Sequence, residues 1–417
     1  MSGSWVMRDA ARRIAPRLIG LLLLLLACGF AGASTPDPAP PADASAPRIG
    51  VATMQPGEIF FERFGHNALV VEDASTGERT SYNFGFFDPD EPGFIMRFVR
   101  GDMRYRLAAL PFGQDLRYYE EVGRGVSIQW LDLDDAQARG LAEALSANAQ
   151  PENAYYRYDY FLDNCSTRVR DAIDAALGGA LARQTQGRSH GTTFRSEAVR
   201  LASPAPWMWL GFDLGLGPLA DRPQPLWGES FVPMRLASAL DEVGNPATGR
   251  PLVASATALL PQRLPPEPFE APRRWWPWAL AGILIGAACA LAGPRMPRTV
   301  AAIALPFWAI CGVLGALMLF IWFGTEHRFG WANRNLFLLS PLCWLLLPGG
   351  IRLLRGRAAG RLFGLLLAAV ATLPVVALFF YWLPVIPQQN LRWIVLFGPI
   401  HAGLWWAFRQ SARTRLR

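Results

Sequence analysis

The 417-residue chain contains no lysine, so all 40 of its strongly basic residues are arginine. That absence excludes Ser–Lys dyads and lysine Schiff bases as catalytic devices. Its plain origin is codon bias in a GC-rich genome. Cysteine is nearly as scarce, with five residues at positions 28, 165, 289, 311 and 343. All but Cys165 fall in strongly apolar stretches, so the polar part of the chain holds one thiol and can close no internal disulfide. There are four histidines, and neither CxxC nor HxxxH spacing occurs. This donor set does not make a zinc site, and no metal or cofactor is expected. The net charge of +7 lies mostly in arginines that flank apolar runs. With an exported location it gives no ground for nucleic-acid binding.

What is present sorts into topology first. Arginines at 8, 12, 13 and 17, an apolar run over 18–33 and the small residues Ala31-Gly32-Ala33 form a secretory signal pattern. Leu25-Leu26-Ala27-Cys28 loosely resembles a lipoprotein cleavage box, with Leu26 a poor fit. Cleavage, lipidation at Cys28 and retention as an anchor all stay open. The predicted layout is a signal over 1–34, a Pro/Ala/Ser/Asp linker over 35–47, an exported domain over 48–265 and a proline-rich linker over 266–274. A transmembrane domain over 275–410 and a basic tail over 411–417 complete it. Apolar stretches at 275–292, 300–323, 336–347, 362–383 and 393–408 approach the ~20 residues needed to cross a bilayer. They predict a five-helix transmembrane α-bundle. The third is short, carries Pro341, and needs 348–354 to complete its crossing.

Arginine asymmetry orients these spans. Arg295 and Arg298, then Arg352, Arg355, Arg357 and Arg361, then Arg409, Arg413, Arg415 and Arg417 occupy alternate loops. The opposite loops carry only Arg328, Arg334 and Arg392. The positive-inside rule makes the first set cytoplasmic, which puts the 48–265 domain outside and the C-terminus inside. The expected location is a bacterial inner membrane with the domain in the periplasm.

The exported domain reads as α+β. Strands are predicted at 49–54 and 59–64, a hairpin at 66–71 and 79–86 around Gly77, and further strands at 104–109 and 126–133. Helices are predicted at 92–100, at 134–147 with Asp132 or Asp134 as cap, and from about 164 to 177, where Gly178-Gly179 stops the chain. The last has Val169, Ala172, Ile173 and Leu177 as its buried stripe. The expected architecture is a small antiparallel sheet with a central helix that carries Cys165 in its first turn.

That position matters chemically. A helix N-terminus presents unpaired N–H groups and the positive end of the dipole, which favour a thiolate. The same N–H groups can receive the oxyanion formed when sulfur attacks a carbonyl. His66, at the head of an apolar strand, is the favoured base, and His190, in a polar loop, is its competitor. The hairpin register brings Asn83 within reach of His66 as an orienting group. A small buried cysteine and a satisfied core histidine are the alternatives to this pairing. For binding, the candidates are Asn164, Arg168 and His327, the last with Glu326 and Arg328 in a periplasmic loop that could meet a lipid headgroup.

These segments carry a resemblance. Phe64-Gly65-His66-Asn67-Ala68-Leu69, Tyr82-Asn83-Phe84-Gly85 and the run from Tyr158 to Cys165 resemble the Lnb N-terminal periplasmic domain family. The similarity continues through Gly211-Phe212-Asp213 and from Gly217 to Asp221, and Asn333-Arg334-Asn335-Leu336 at a span entry is also similar. The resemblance implies a circularly permuted papain-like fold of the NlpC or lecithin:retinol acyltransferase type, with histidine before cysteine in the chain. It further implies a lipoprotein N-acyltransferase with Cys165 as nucleophile, His66 as base and Asn83 as orienter. Its partners would be lipoproteins and membrane phospholipid. The residues point the same way, since five spans exceed the anchor a soluble wall hydrolase needs. A papain-like peptidase or amidase acting on peptidoglycan, and a non-catalytic sensor or scaffold, are the competing readings. The sequence specifies no oligomeric state.

Overall fold

The computed structural model describes residues 45–269, 274–383, 385 and 387–409. The predicted signal with Cys28, nearly all of the 35–47 linker, part of the 266–274 linker and the basic tail lie outside the described residues. The exported domain begins β1 (Arg48–Met54), β2 (His66–Glu72), β3 (Arg79–Phe86), α1 (Phe94–Arg100), β4 (Arg104–Pro111), α2 (Phe112–Glu121) and β5 (Val126–Leu131). It continues α3 (Asp135–Asn148), β6 (Tyr155–Arg157), α4 (Cys165–Ala176), α5 (Ala180–Thr185), α6 (Phe194–Ala202) and α7 (Pro206–Gly215). It closes with α8 (Leu226–Glu229), α9 (Pro233–Asp241), the short pair β7 (Gly244–Asn245) and β8 (Arg250–Pro251), and β9 (Val253–Leu260).

Seven strands form one antiparallel sheet in the order β6-β4-β3-β2-β1-β5-β9. β1 is buried at every position after Arg48, because helices cover both faces of the sheet. On one face Val51, Leu69, Tyr82, Phe84 and Leu107 pack against Leu141 and Leu145 of α3 and Val169 and Ile173 of α4. On the other, Met54, Ala68, Val70 and Ile128 pack against Phe112 and Tyr119 of α2. The period-2 alternation of each strand thus serves two cores at once.

The predicted strands at 49–54, 66–71, 79–86, 104–109 and 126–133 all fall on observed ones, and α3 starts on Asp134 in a reciprocal box with Gln137. The predicted strand at 59–64 is wrong. Phe60–Glu62 is a 3-10 turn whose Glu62 points inward, accepting from the Tyr118 hydroxyl at 2.8 Å and lying 3.5 Å from Arg124. A buried acid with two dedicated partners outweighs the apolar look of that segment. The sheet is also larger than expected, because β6 and β9 escaped notice.

The membrane region is helical: α10 (Trp276–Ala292), α11 (Pro297–Gly324), α12 (Leu347–Leu354), α13 (Arg361–Trp382) and α14 (Leu391–Phe408). Among the described residues three segments are long and apolar enough to cross a membrane, 297–324, 328–354 and 361–382, and α10 is a shorter apolar helix. α10 and α14 approach closely: a Cβ on Gly286 would stand 2.2 Å from the carbonyl oxygen of Pro399, and one on Gly403 2.1 Å from that of Gly286. Small residues permit this backbone contact between apolar helices. The third predicted span is not a regular helix. It runs as 3-10 turns at Arg334–Phe337 and Pro341–Leu346 before α12. Proline at 341 removes a donor, and the irregular backbone is satisfied locally: Ser340 Oγ accepts from the Leu342 N–H, and His401 Nε2 lies 2.9 Å from the Leu338 carbonyl.

Candidate active site

α4 begins at Cys165 because the residue before it is a cap. Asn164 has extended φ/ψ, its Oδ1 accepts the Thr167 N–H at 2.9 Å, and its own N–H donates to Thr167 Oγ1 at 2.7 Å. Asn164 Nδ2 donates to the carbonyls of Tyr160 and Phe231, each at 2.9 Å, and Ser166 Oγ donates to Ser230 at 2.6 Å. The helix start is therefore pinned from both sides, and the thiol with it.

His66 opens β2 directly after Gly65, whose φ of +77° suits glycine. β2 and β3 pair with Leu69 opposite Tyr82, and His66 Nε2 lies 3.0 Å from Asn83 Oδ1. The orientation of Asn83 is not arbitrary. Its Nδ2 donates to Asp115 Oδ2 at 2.7 Å and to Ser81 Oγ at 3.2 Å, and Ser81 also donates to that carboxylate. An amide nitrogen committed to a buried carboxylate turns its oxygen toward the histidine. Nε2 then carries a proton, and Nδ1 is the nitrogen left for the thiol.

Cys165 and His66 interact by charge and by a side-chain hydrogen bond. Burial is the largest single influence on the thiol and pushes it up. It is outweighed by the His66 charge and hydrogen bond together with the backbone N–H groups of Asn67 and Ser166, so Cys165 lies below the ordinary thiol value. Burial likewise pulls His66 down. The thiolate, its hydrogen bond and Asn83 together outweigh that pull, and the imidazole lies above its ordinary value despite opposition from Arg124. Each shift thus runs toward the charged form, the thiol being more acidic and the imidazole more basic than when free. Both side chains keep partial exposure.

Two features that sequence reasoning missed complete the site. Asp115, on α2, is the buried anchor of Asn83; the only hint was Ser81 and Asn83 sharing one buried strand face. Gly85 sits where the β3–β4 register shifts, with φ of +88°. A Cβ there would make only ordinary contact with Cys165 Cβ at 3.7 Å, so it is the positive φ of the bulge beside the thiol that calls for glycine.

The other predicted residues are engaged in contacts of their own. His190 is held by buried Glu229, Nδ1 to Oε2 at 2.6 Å. Asn164 spends its side chain on the cap. Arg168 pairs with Asp163 and sits 4.1 Å over the Tyr156 ring. His327 engages both ring nitrogens, Nδ1 with the Tyr160 hydroxyl and Nε2 with the Phe98 carbonyl at 3.0 Å. Arg328 pairs with Asp159 at 2.8 Å. The loop bearing His327 and Arg328 thus fastens the membrane region to the exported domain. Among the described residues no group of three or more His, Cys, Asp or Glu could hold a metal ion.

The motifs outside the cysteine site build a second, larger fastening. Asp213 at the end of α7 accepts from Arg392 at 2.8 Å and from the Trp393 indole at 2.6 Å, both in the first turn of α14. Asn333 and Asn335 donate to the Leu214 carbonyl at 2.6 and 3.0 Å. Arg195, fully buried, holds Asp221 at 2.8 Å, and Asp221 accepts the Gln389 N–H at 3.1 Å.

This fold and site define a membrane-tethered α+β protein with a paired cysteine and histidine at a helix start. Residues 42–200 match the Lnb N-terminal periplasmic domain, and residues 273–398 match the Lnb transmembrane domain. The chain belongs to the Lnb family. No curated protein and no solved structure matches it.

Proposed function

We propose that the protein is a cysteine acyltransferase of the bacterial inner membrane, with its catalytic domain in the periplasm, five spans and a cytoplasmic C-terminus. The single observation that carries this reading is the hydrogen-bonded series Asp115–Asn83–His66 set beside the Cys165 thiol at a helix start, on a domain fastened to apolar helices. We read the domain as permuted papain-like, since the histidine strand precedes the cysteine helix. The Cys165 thiolate attacks the ester carbonyl of a phospholipid or lipoprotein, and the N–H groups at the helix start receive the oxyanion. His66 gives its proton to the departing alcohol, leaving a thioester and a neutral imidazole. The α-amine of a lipoprotein's N-terminal residue then attacks the thioester, His66 takes the amine proton, and the thiolate leaves as the amide forms. The starting ion pair is restored.

Intact mass spectrometry after incubation with membrane lipid tests this. The expected result is an acyl adduct on Cys165 that transfers to an added lipopeptide amine and is absent in Cys165→Ala. Cleavage of muropeptides without any acyl adduct would move the assignment to a peptidoglycan hydrolase.

A further inference from the structure

α1 is a helix that buries none of its residues. Its sequence, FIMRFVR, is mostly apolar, and Ile95 and Met96 are 74% and 55% exposed, with Val99 also exposed. Such a surface is unfavourable in water and marks an interaction face. The patch does not end with the helix. Phe98 packs edge-on against Phe60, and Phe60 stacks on Trp207, itself 66% exposed at the head of α7. Phe60 and Phe61 lie just before His66, and exposed Phe86 lies just after Gly85, so the apolar band starts at the two loops that frame Cys165.

Its other end meets the bilayer. α11 ends at Gly324, and two residues later the Glu326 N–H donates to the Arg100 carbonyl at 2.8 Å. The last residue of α1 thus abuts the point where a 28-residue apolar helix leaves the membrane. On the other flank, Trp209 of α7 lies 6.2 Å from both Trp278 and Trp393, which sit in the first turns of α10 and α14. Beside them Trp275 and Trp276, at the head of α10, are 51% and 54% exposed, the setting of aromatic residues at a headgroup level. The end of the band away from Cys165 is thus held on two flanks by the membrane region. Of the two arginines of α1, Arg97 is paired with Glu91 at 2.9 Å, and Asp88 and Asp90 lie just upstream, so the contact with lipid rests on the apolar face.

We propose that α1, Phe60, Phe61 and Trp207 form a lip that dips into the outer face of the protein's own bilayer and leads a phospholipid acyl chain to Cys165. The lip's contact with lipid stands on geometry alone; its role in delivering a donor rests on the acyl-transfer reading. The full chain is reconstituted in phosphatidylethanolamine/phosphatidylglycerol vesicles with p-benzoylphenylalanine at Met96, at Trp207 or, as reference, at exposed Glu143 on α3. Irradiation is expected to give phospholipid adducts at 96 and 207 well above those at 143. Equal or absent adducts at 96 and 207 would overturn the proposal. In a second arm, the double variant Ile95→Ser/Met96→Ser should load Cys165 from vesicles on the order of tenfold more slowly, from lost apolar burial. Its reaction with a short water-soluble thioester should stay unchanged. Unchanged loading from vesicles, or an equal fall with the soluble thioester, would overturn the delivery role. If wild type forms no lipid thioester at all, the acyl-transfer reading fails while the cross-linking still decides insertion.

Discussion

A thiol at a helix start is reactive only if its surroundings outweigh the cost of burying a charge. At Cys165 they do so through His66 and two backbone N–H groups. Iodoacetamide alkylation of Cys165 should therefore show a midpoint below the ordinary thiol value of 9.0, and His66→Gln should move it upward. Turnover should be bell-shaped in pH: it rises as the pair loses its first proton and falls as the imidazolium, raised above 6.5, loses its own. Asn83→Ala removes one of the interactions that raise His66, so the upper limb should shift to lower pH and the maximal rate fall by roughly 10–100-fold. A pH–rate profile of thioester formation measures both. Asp115→Asn should weaken the same relay less, because Asn83 keeps a partner. That Cys165, His66 and Asn83 come together could be read from helix position and hairpin register. Asp115 could not, since one acid on an amphipathic helix gives no sign that it turns inward.

At the scale of elements, the start of α4 decides where the thiol stands. Asn164→Ala deletes the reciprocal cap and both donations to Tyr160 and Phe231, and it leaves those carbonyls unpaired. The loss should be about 1–3 kcal/mol in chemical denaturation. Asn164→Asp should fall between, keeping the cap and losing the donors. Elements were legible where one physical pattern ruled alone, as in the two-sided burial of β1, the turn between β2 and β3, and the box that starts α3. They were illegible where tertiary partners ruled. Glu62 turns an apolar run into a buried polar turn, β6 is only three residues long, and the eight-residue β9 is mostly exposed along the sheet edge. The segment from Arg334 to Leu346 keeps the composition of a span but not its helix, because Pro341 removes a donor and Ser340 and His401 supply another set of hydrogen bonds.

For the whole molecule, the issue is whether the α+β domain merely hangs from the membrane or is held at one height and angle above it. The fastening is buried and polar: Asp213 with Arg392 and Trp393, Asn333 and Asn335 with the end of α7, and Asp221 between Arg195 and Gln389. Buried ion pairs contribute little net stability against apolar replacements, but they define geometry, and breaking one leaves an unpaired charge. Asp213→Ala strands the Arg392 guanidinium, which is only 11% exposed, and should destabilise the joint by about 3 kcal/mol or more. Asp213 belongs to the joint and not to the relay of Asp115, Asn83, His66 and Cys165. Alkylation of Cys165 in the Asp213→Ala protein should therefore keep its wild-type midpoint, while acyl loading from vesicles falls. A tethered but freely swinging domain predicts the opposite, loading that is indifferent to Asp213. Comparing the two rates in one reconstituted sample separates these cases, because loss of the fold would lower both and loss of registration only the second.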